Sequence, residues 1–352
     1  MTITIGNKKI GGREPVFIVA ELGINHNGSL SLAKKMIKAA KQSGADAVKI
    51  QSFVTEDFVG DKKLKYTYRS RGKSVTESQY DMFKRNELTK KAQSDLFNYA
   101  KNINIIIFST PQDNSFKTVN FLCGAQLNMP AIKVGSDDLT NLPMLSHYAK
   151  KKKPMIISTG MGTLSEIKDA VTTIKKEDNT KIIILKCTSL YPTQPQQANL
   201  AQIITLQKHF PDLIIGFSDH TSGSTAAVIS VVLGAKVIEK HFTLDKNLPG
   251  PDHWFAADPT ELFLLVRQVR EAETMLGRTD FNLSKEELKM KKIARRSIMA
   301  AQDIAKGRVI AYEDLTCKRP GTGFSPKHLL RFVGKIAKCD YKKGYIFTKK
   351  DL

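Results

Sequence analysis

One repeated alternation restricts the fold of this chain more than any other feature. Eight short apolar runs, at 16–21, 47–51, 105–110, 131–136, 155–160, 182–188, 214–219 and 236–242, are separated by amphipathic stretches. Those at 31–43, 115–122, 164–175, 200–210, 225–233 and 259–276 carry apolar residues at helical spacing. Some open on N-cap signals, as with Thr163 ahead of Glu166. About eight strand-then-helix units in ~250 residues is the count of a (β/α)8 barrel, an α/β fold. A doubly wound sheet is the competing arrangement.

The rest of the chain divides around this core. Residues 2–12 alternate apolar and polar about Gly6-Asn7, which predicts an N-terminal β-hairpin. The polar stretch 55–89 is too long for an ordinary connection and reads as a substrate-covering loop with a short helix. The barrel is expected over 1–280, a charged linker helix over 281–296 and a small β-rich domain over 297–352. That last segment repeats itself. Asp303, Lys306, Gly307, Asp314 and Leu315 recur as Asp340, Lys343, Gly344, Asp351 and Leu352, each 37 positions on. Two copies of a turn-and-strand unit imply pseudo-two-fold symmetry.

Composition bounds the function. At 352 residues the chain exceeds one ordinary domain. The longest apolar run, 226–235, is far short of a membrane span and holds Ser230 and Gly234. No secretory pattern opens the sequence, so a cytoplasmic protein without a membrane partner is expected. Cys123, Cys187, Cys317 and Cys339 form no CxxC pair, which points to reduced thiols. The formal charge is +21, and residues 284–352 supply 18 basic against 7 acidic side chains. No nucleic-acid-binding pattern accompanies that charge, so it reads as a solvated surface suited to anionic substrates.

Barrel enzymes place their chemistry where strands end. Here every strand ends in polar residues: Glu21, Lys49 and Gln51, Thr110, Lys133 and Ser136 with Asp138, Ser158, Ser189 and Tyr191, Ser218 and His220, then Glu239 and His241. A lysine inside a parallel strand needs an anion, because desolvating an unpaired ammonium costs several kcal/mol. Lys49 and Lys133, with hydroxyls at Thr110, Ser136, Ser158 and Ser218, predict a bound phosphate or carboxylate. An internal salt bridge to Glu21 or Asp138 is the competing reading. His220 and His241, at neighbouring tips, predict a divalent metal site completed by oxygen ligands.

The runs around these residues resemble the N-acetylneuraminate (sialic acid) synthases, including legionaminic and pseudaminic acid synthases. They include residues 18–26, 48–51, 108–111, 133–136, 157–161, 187–192, 216–220 and 239–243. The tail, with Lys318-Arg319-Pro320-Gly321, is similar to their C-terminal antifreeze-like (SAF) domain. The resemblance implies condensation of phosphoenolpyruvate with an N-acylated amino-sugar aldehyde, with C–O cleavage. It implies Mn²⁺, or Mg²⁺ or Co²⁺, on His220 and His241. It implies a domain-swapped homodimer. Lys49, Thr110, Lys133, Ser136, Ser158, Ser189 and Ser218 would hold phosphoenolpyruvate. Gln51, Tyr191, Asp252 and Arg319 would face the sugar, with Glu21, Asp138, Tyr191 and Glu239 catalytic. Asp138 stands where bacterial sialic acid synthases have Glu, and Ser189 where they have Asn; animal members resemble this chain at both.

Overall fold

The computed structural model describes residues 1–352. The chain forms two compact units, Met1–Gly277 and Arg278–Leu352. The first opens with the antiparallel hairpin β1 (Thr2–Ile5) and β2 (Lys8–Gly11), turning at Gly6-Asn7. Its Ile3, Ile5 and Ile10 are buried in the same core as the strands that follow. The hairpin turn meets the start of a barrel strand, with Gly6 beside Ile106.

Strand β3 (Phe17–Gly23) leads to helix α1 (Leu30–Gln42), and β4 (Ala47–Ser52) begins the long excursion. That excursion is more structured than a covering loop. It contains α2 (Thr55–Phe58), the hairpin β5 (Lys65–Ser70) and β6 (Lys73–Ser78), and α3 (Gln79–Asn86), before α4 (Lys90–Asn102) returns the chain. Regular units follow: β7 (Ile106–Pro111) and α5 (Lys117–Cys123), then β8 (Ile132–Val134) and α6 (Leu142–Ala149), then β9 (Met155–Ser158) and α7 (Leu164–Lys176). The last are β10 (Ile182–Cys187) and α8 (Gln202–His209), β11 (Ile214–Asp219) and α9 (Thr225–Val232), β12 (Val237–His241) and α10 (Pro259–Leu276).

Strands β3, β4 and β7 to β12 close into one parallel barrel. Pairing of Val237 with Phe17 through His241 with Glu21 seals the last strand to the first. Nearly every residue of these strands is buried, the pattern of parallel strands covered by helices on one side and core on the other. The expected capping box at α7 is present: Glu166 N donates to Thr163 Oγ1, and Thr163 N donates to the Glu166 carboxylate at 2.7 Å. No helix is long and apolar enough to cross a membrane.

The second unit holds α11 (Lys285–Ala294) and the antiparallel pair β13 (Ser297–Ala300) and β14 (Leu315–Lys318). Ile298, Phe332, Tyr341 and Phe347 form its core. The sequence repeat appears as reciprocal hydrogen bonds. Asp340 Oδ1 accepts from Lys306 N at 2.7 Å, while Asp303 Oδ1 accepts from Lys343 N at 2.8 Å. Asp314 accepts from Ala311 N, and Asp351 from Thr348 N, in the same relation.

Gly216 shows how tightly the barrel wall is packed. A Cβ there would lie 2.6 Å from both Leu185 Cδ2 and the Val237 carbonyl oxygen. Gly216→Ala is therefore expected to destabilise the barrel by about 1–3 kcal/mol, read as a lowered urea midpoint. An unchanged midpoint would contradict the packing of β10 and β12 on β11.

Candidate active site

The C-terminal ends of the barrel strands surround an open cavity of about 430 Å³. Period-two alternation sorts its charges. Glu239 and His241 face inward while Lys240 between them faces outward, paired with Asp219 at 2.9 Å. Cys187 likewise faces the cavity, and Lys186 turns out to the Thr188 hydroxyl and Ala198 carbonyl.

The floor is a network of two lysines and two carboxylates. Glu21 and Lys49 are register partners, placed just before a bulge at Leu22. Lys49 Nζ lies 3.1 Å from Glu21 Oε2 and 3.3 Å from Glu239 Oε2. The internal ion pair weighed from sequence thus exists for Glu21, and Glu239 joins it. Lys133 is less well matched. Its nearest carboxylate oxygen, on Glu239, is 3.8 Å away, and it donates to Ser158 Oγ at 2.7 Å and to its neighbour's carbonyl. Burial lowers the Lys133 pKa. Burial pushes the Glu21 carboxyl up to about 7, against the pull of Lys49. Burial acts on Glu239 in the same sense but is outweighed by Lys133 and Lys49, which hold it low.

Beside Lys133 the chain leaves a small hydroxyl-lined space. Gly160 N donates to Ser136 Oγ at 2.9 Å. A Cβ on Gly160 would sit 2.2 Å from Ser189 Oγ and 2.7 Å from Ser136 Oγ. Only glycine keeps that cradle open. Thr110 Oγ1 is buried without a partner, and Ser218 Oγ donates to Glu239 at 3.0 Å. Lys133, the unpartnered Thr110 hydroxyl and the hydroxyls of Ser136 and Ser189 around one gap are the donor set of an anion site.

The two imidazoles face each other across neighbouring strand tips, with ring centroids 5.2 Å apart. His220 Nδ1 lies 2.7 Å from the Thr188 carbonyl oxygen; donating there leaves its Nε2 as the free acceptor. His241 Nδ1 is buried with no hydrogen-bond partner and lies 3.6 Å from Asp252 Oδ2. Burial, then His220 and Lys49, keep His241 neutral by lowering its pKa well below the usual range. Burial lowers the His220 pKa, but Cys187 and the Thr188 carbonyl outweigh it and raise it. The free Nε2 of His220 and the unpartnered Nδ1 of His241 both border the cavity, a nitrogen pair that could hold a divalent ion with open positions in competition with a proton on His220, unlike a closed structural zinc site. Tyr191 packs on both rings and on Phe255.

All the barrel residues expected at the site line this cavity except Asp138. The turn Ser136–Asp138 is a 3₁₀ turn, whose successive side chains diverge by about 120°. Asp137 consequently faces the cavity, while Asp138 accepts from Asn141 Nδ2 at 3.3 Å at the start of α6. Arg319 belongs to the second unit, exposed just past β14. The sequence reading missed Asp137, Gln112 and Cys187, and the wall made by Ile24, Phe58, Tyr66, Met82 and Phe83. Asp137 and Cys187 adjoin expected residues; the wall, apart from Ile24 just past β3, comes from the excursion, which has no strand-end signal. A larger cleft of about 830 Å³, at the opposite ends of the strands, gathers none of this chemistry.

Comparison with known proteins agrees with this arrangement. A family model described as NeuB matches residues 36–281, and one for the SAF domain matches residues 295–352. N,N'-diacetyllegionaminic acid synthase of Legionella pneumophila is 41% identical over 348 residues, spanning 96% of each chain. Human N-acetylneuraminate-9-phosphate synthase is 38% identical over 330 residues, covering 93% of this chain and 89% of the human one. The crystal structure of the sialic acid synthetase of Leptospira borgpetersenii superposes with a TM-score of 0.73 at 34% identity, covering 82% of this chain and 95% of that one. With matches of that extent, the chain belongs to the NeuB family and carries a SAF domain at its C-terminus.

Proposed function

We propose that this chain condenses phosphoenolpyruvate with an N-acylated amino-sugar aldehyde and water, giving a nine-carbon 2-keto acid and phosphate. One observation carries the reading. The under-paired Lys133 and the hydroxyl cradle around Gly160 open into the same cavity as the facing His220 and His241. The likeness to the Legionella N,N'-diacetyllegionaminic acid synthase and the human N-acetylneuraminate-9-phosphate synthase supports it.

Lys49, Lys133 and the hydroxyls of Thr110, Ser136, Ser158, Ser189 and Ser218 would hold the enol phosphate and carboxylate. A divalent ion on His220 and His241, Mn²⁺ by preference, would supply Lewis acidity to the aldehyde oxygen. The nucleophilic C3 of the enol phosphate bonds to the aldehyde carbon, whose oxygen takes up a proton. Positive charge develops at C2, where water adds and gives its proton to a carboxylate. Glu21 suits that last role, because its raised pKa lets it hold a proton near neutrality. The tetrahedral adduct then loses phosphate by C–O cleavage; its C2 hydroxyl gives its proton to the departing phosphate, which leaves a ketone at C2, and the lysines stabilise the departing charge. Glu239 would keep the lysines charged and placed, with Gln51, Tyr191 and Asp252 toward the sugar. Asp137 takes the cavity position expected of Asp138.

The working form would be a cytoplasmic homodimer in which one chain's SAF domain covers its partner's cavity, bringing Arg319 to the N-acyl group. Exposed apolar side chains on α9 and α10, Ile229, Val232, Phe263 and Leu264, are surface that pairing would cover.

Phosphate release from phosphoenolpyruvate should require both the aldehyde and Mn²⁺, stop in EDTA and return with added metal. Oxygen label in the C–O–P bridge should leave with phosphate. Label retained in the sugar, or release indifferent to EDTA, would refute the mechanism. Gly160→Ala should raise the KM for phosphoenolpyruvate about 100-fold while the thermal midpoint stays near that of the parent. An unaltered KM would remove the cradle from the anion site. Activity should climb as pH rises through about 7, as Glu21 loses its proton. Glu21→Gln should lose both most of the rate and that ascending limb; a limb persisting in the variant would assign it to another group.

A further inference from the structure

We infer that Lys186, buried behind the barrel wall and outside the cavity, is a positioning residue: it clasps both ends of the segment 188–198 and so holds the Thr188 carbonyl that orients His220 toward a divalent ion. The inference rests on the proposed function for the presence of that ion, and assigns to it a side chain that touches neither substrate nor metal.

Lys186 is the penultimate residue of β10 and is only 1% exposed. Its neighbour Cys187 takes the cavity side, so Lys186 points into the helical layer. There its ammonium has two neutral oxygen partners, the Thr188 hydroxyl and the Ala198 carbonyl, with the Phe217 ring centroid 6.0 Å away. Asp219, on the adjoining strand, is committed to Lys240 at 2.9 Å and to the Thr221 backbone and hydroxyl. Burial lowers the Lys186 pKa, against the pull of Cys187 and Asp219. An uncharged side chain of similar length would fill this space without that desolvation. What the ammonium contributes is therefore to be found in the two groups it joins.

Those groups are the two ends of one loop. Thr188 opens the segment and Ala198 closes it, and Thr188 Oγ1 also donates to the Gln197 carbonyl at 3.2 Å. One ammonium and one hydroxyl thus tie the ends together. Inside the loop, Thr193 N donates to the His220 carbonyl at 2.9 Å, and Thr193 Oγ1 donates to the Leu190 carbonyl at 2.9 Å. The loop carries Ser189 and Tyr191 to the cavity, and the Tyr191 ring lies 4.2 Å from that of His220. Its first carbonyl, on Thr188, accepts from His220 Nδ1 at 2.7 Å. That bond fixes which nitrogen of the neutral ring carries the proton and leaves Nε2 as the metal-facing acceptor. With the clasp open, the carbonyl is free to turn toward water, and the imidazole loses both its tautomer and its orientation.

The test measures Mn²⁺ binding to the full chain without substrates, from the electron paramagnetic resonance signal of the free ion. Lys186→Met, which removes the clasp and keeps the bulk, should weaken Mn²⁺ binding about 10- to 100-fold, while the thermal midpoint of the metal-free chain stays near that of the parent. Unchanged affinity overturns the inference. So does a loss of affinity that comes with a lowered midpoint, which assigns Lys186 a structural role. Thr188→Val removes the hydroxyl and leaves the carbonyl; it should weaken binding by a similar factor, and adding Lys186→Met to it should cost little more. Losses that multiply in the double variant overturn the clasp. A parent chain that binds Mn²⁺ but releases no phosphate from phosphoenolpyruvate with any N-acylated amino-sugar aldehyde overturns the condensation and leaves the inference to the binding data. A parent that binds no Mn²⁺ overturns the inference together with the metal-assisted mechanism.

Discussion

Two ammonium groups buried inside a closed barrel set the terms for the rest of this structure. Lys49 and Lys133 each lie within a barrel strand, with little access to solvent. Neither can remain charged there without anions, since desolvation alone costs several kcal/mol per ion. The fold meets the requirement unevenly. Lys49 has two carboxylates within ion-pair distance, Glu21 and Glu239. Lys133 has one longer contact, a hydroxyl and a carbonyl. A fully neutralised network would be a structural plug. An unevenly neutralised one, opening on a cradle of hydroxyls, is a seat for an arriving anion.

The same economy of strand geometry places the imidazoles. On β11 and β12, side chains alternate between the barrel interior and the helical layer. Asp219 and Lys240 point outward and form a buried pair, which also involves the Thr221 and Gly223 carbonyls. Asp219 further accepts from the Thr221 backbone and hydroxyl. The residues that follow them, His220 and His241, are thereby tied at one height. One ion pair behind the wall fixes the spacing of two imidazoles in front of it.

Which of these features the sequence carried follows from their length scale. The barrel was legible because a strand-and-helix alternation repeated eight times has few other solutions. The floor was legible because a charge within an apolar run has few solvated alternatives, as at Lys49 and Lys133. The second unit was legible because Asp303 and Asp340 recur with their Lys-Gly turns, and each does cap the other's turn. Asp138 shows the limit. Whether it or Asp137 faces the cavity depends on one 3₁₀ turn, and adjacent identical residues offer no pattern to choose between them. The excursion shows a second limit. Phe53, Phe58 and Phe83 meet only after a hairpin folds between them, so their shared face has no local period.

That difference in legibility matches a difference in task. In the proposed reaction the floor would bind an enol phosphate and stabilise the departing phosphate, a task suited to residues on rigid strands that can vary little in position. The wall has only to complement whatever lies beyond the reacting carbons. It comes from an insertion that the barrel can exchange without disturbing Lys49, Lys133 or the histidines, because its apolar cluster is packed apart from the main core. A protein built this way can change its acceptor by altering residues 55–86 while keeping its chemistry. The surface offered above the floor is therefore set by packing local to the excursion, while the charge of the cavity is set by the buried ions beneath it.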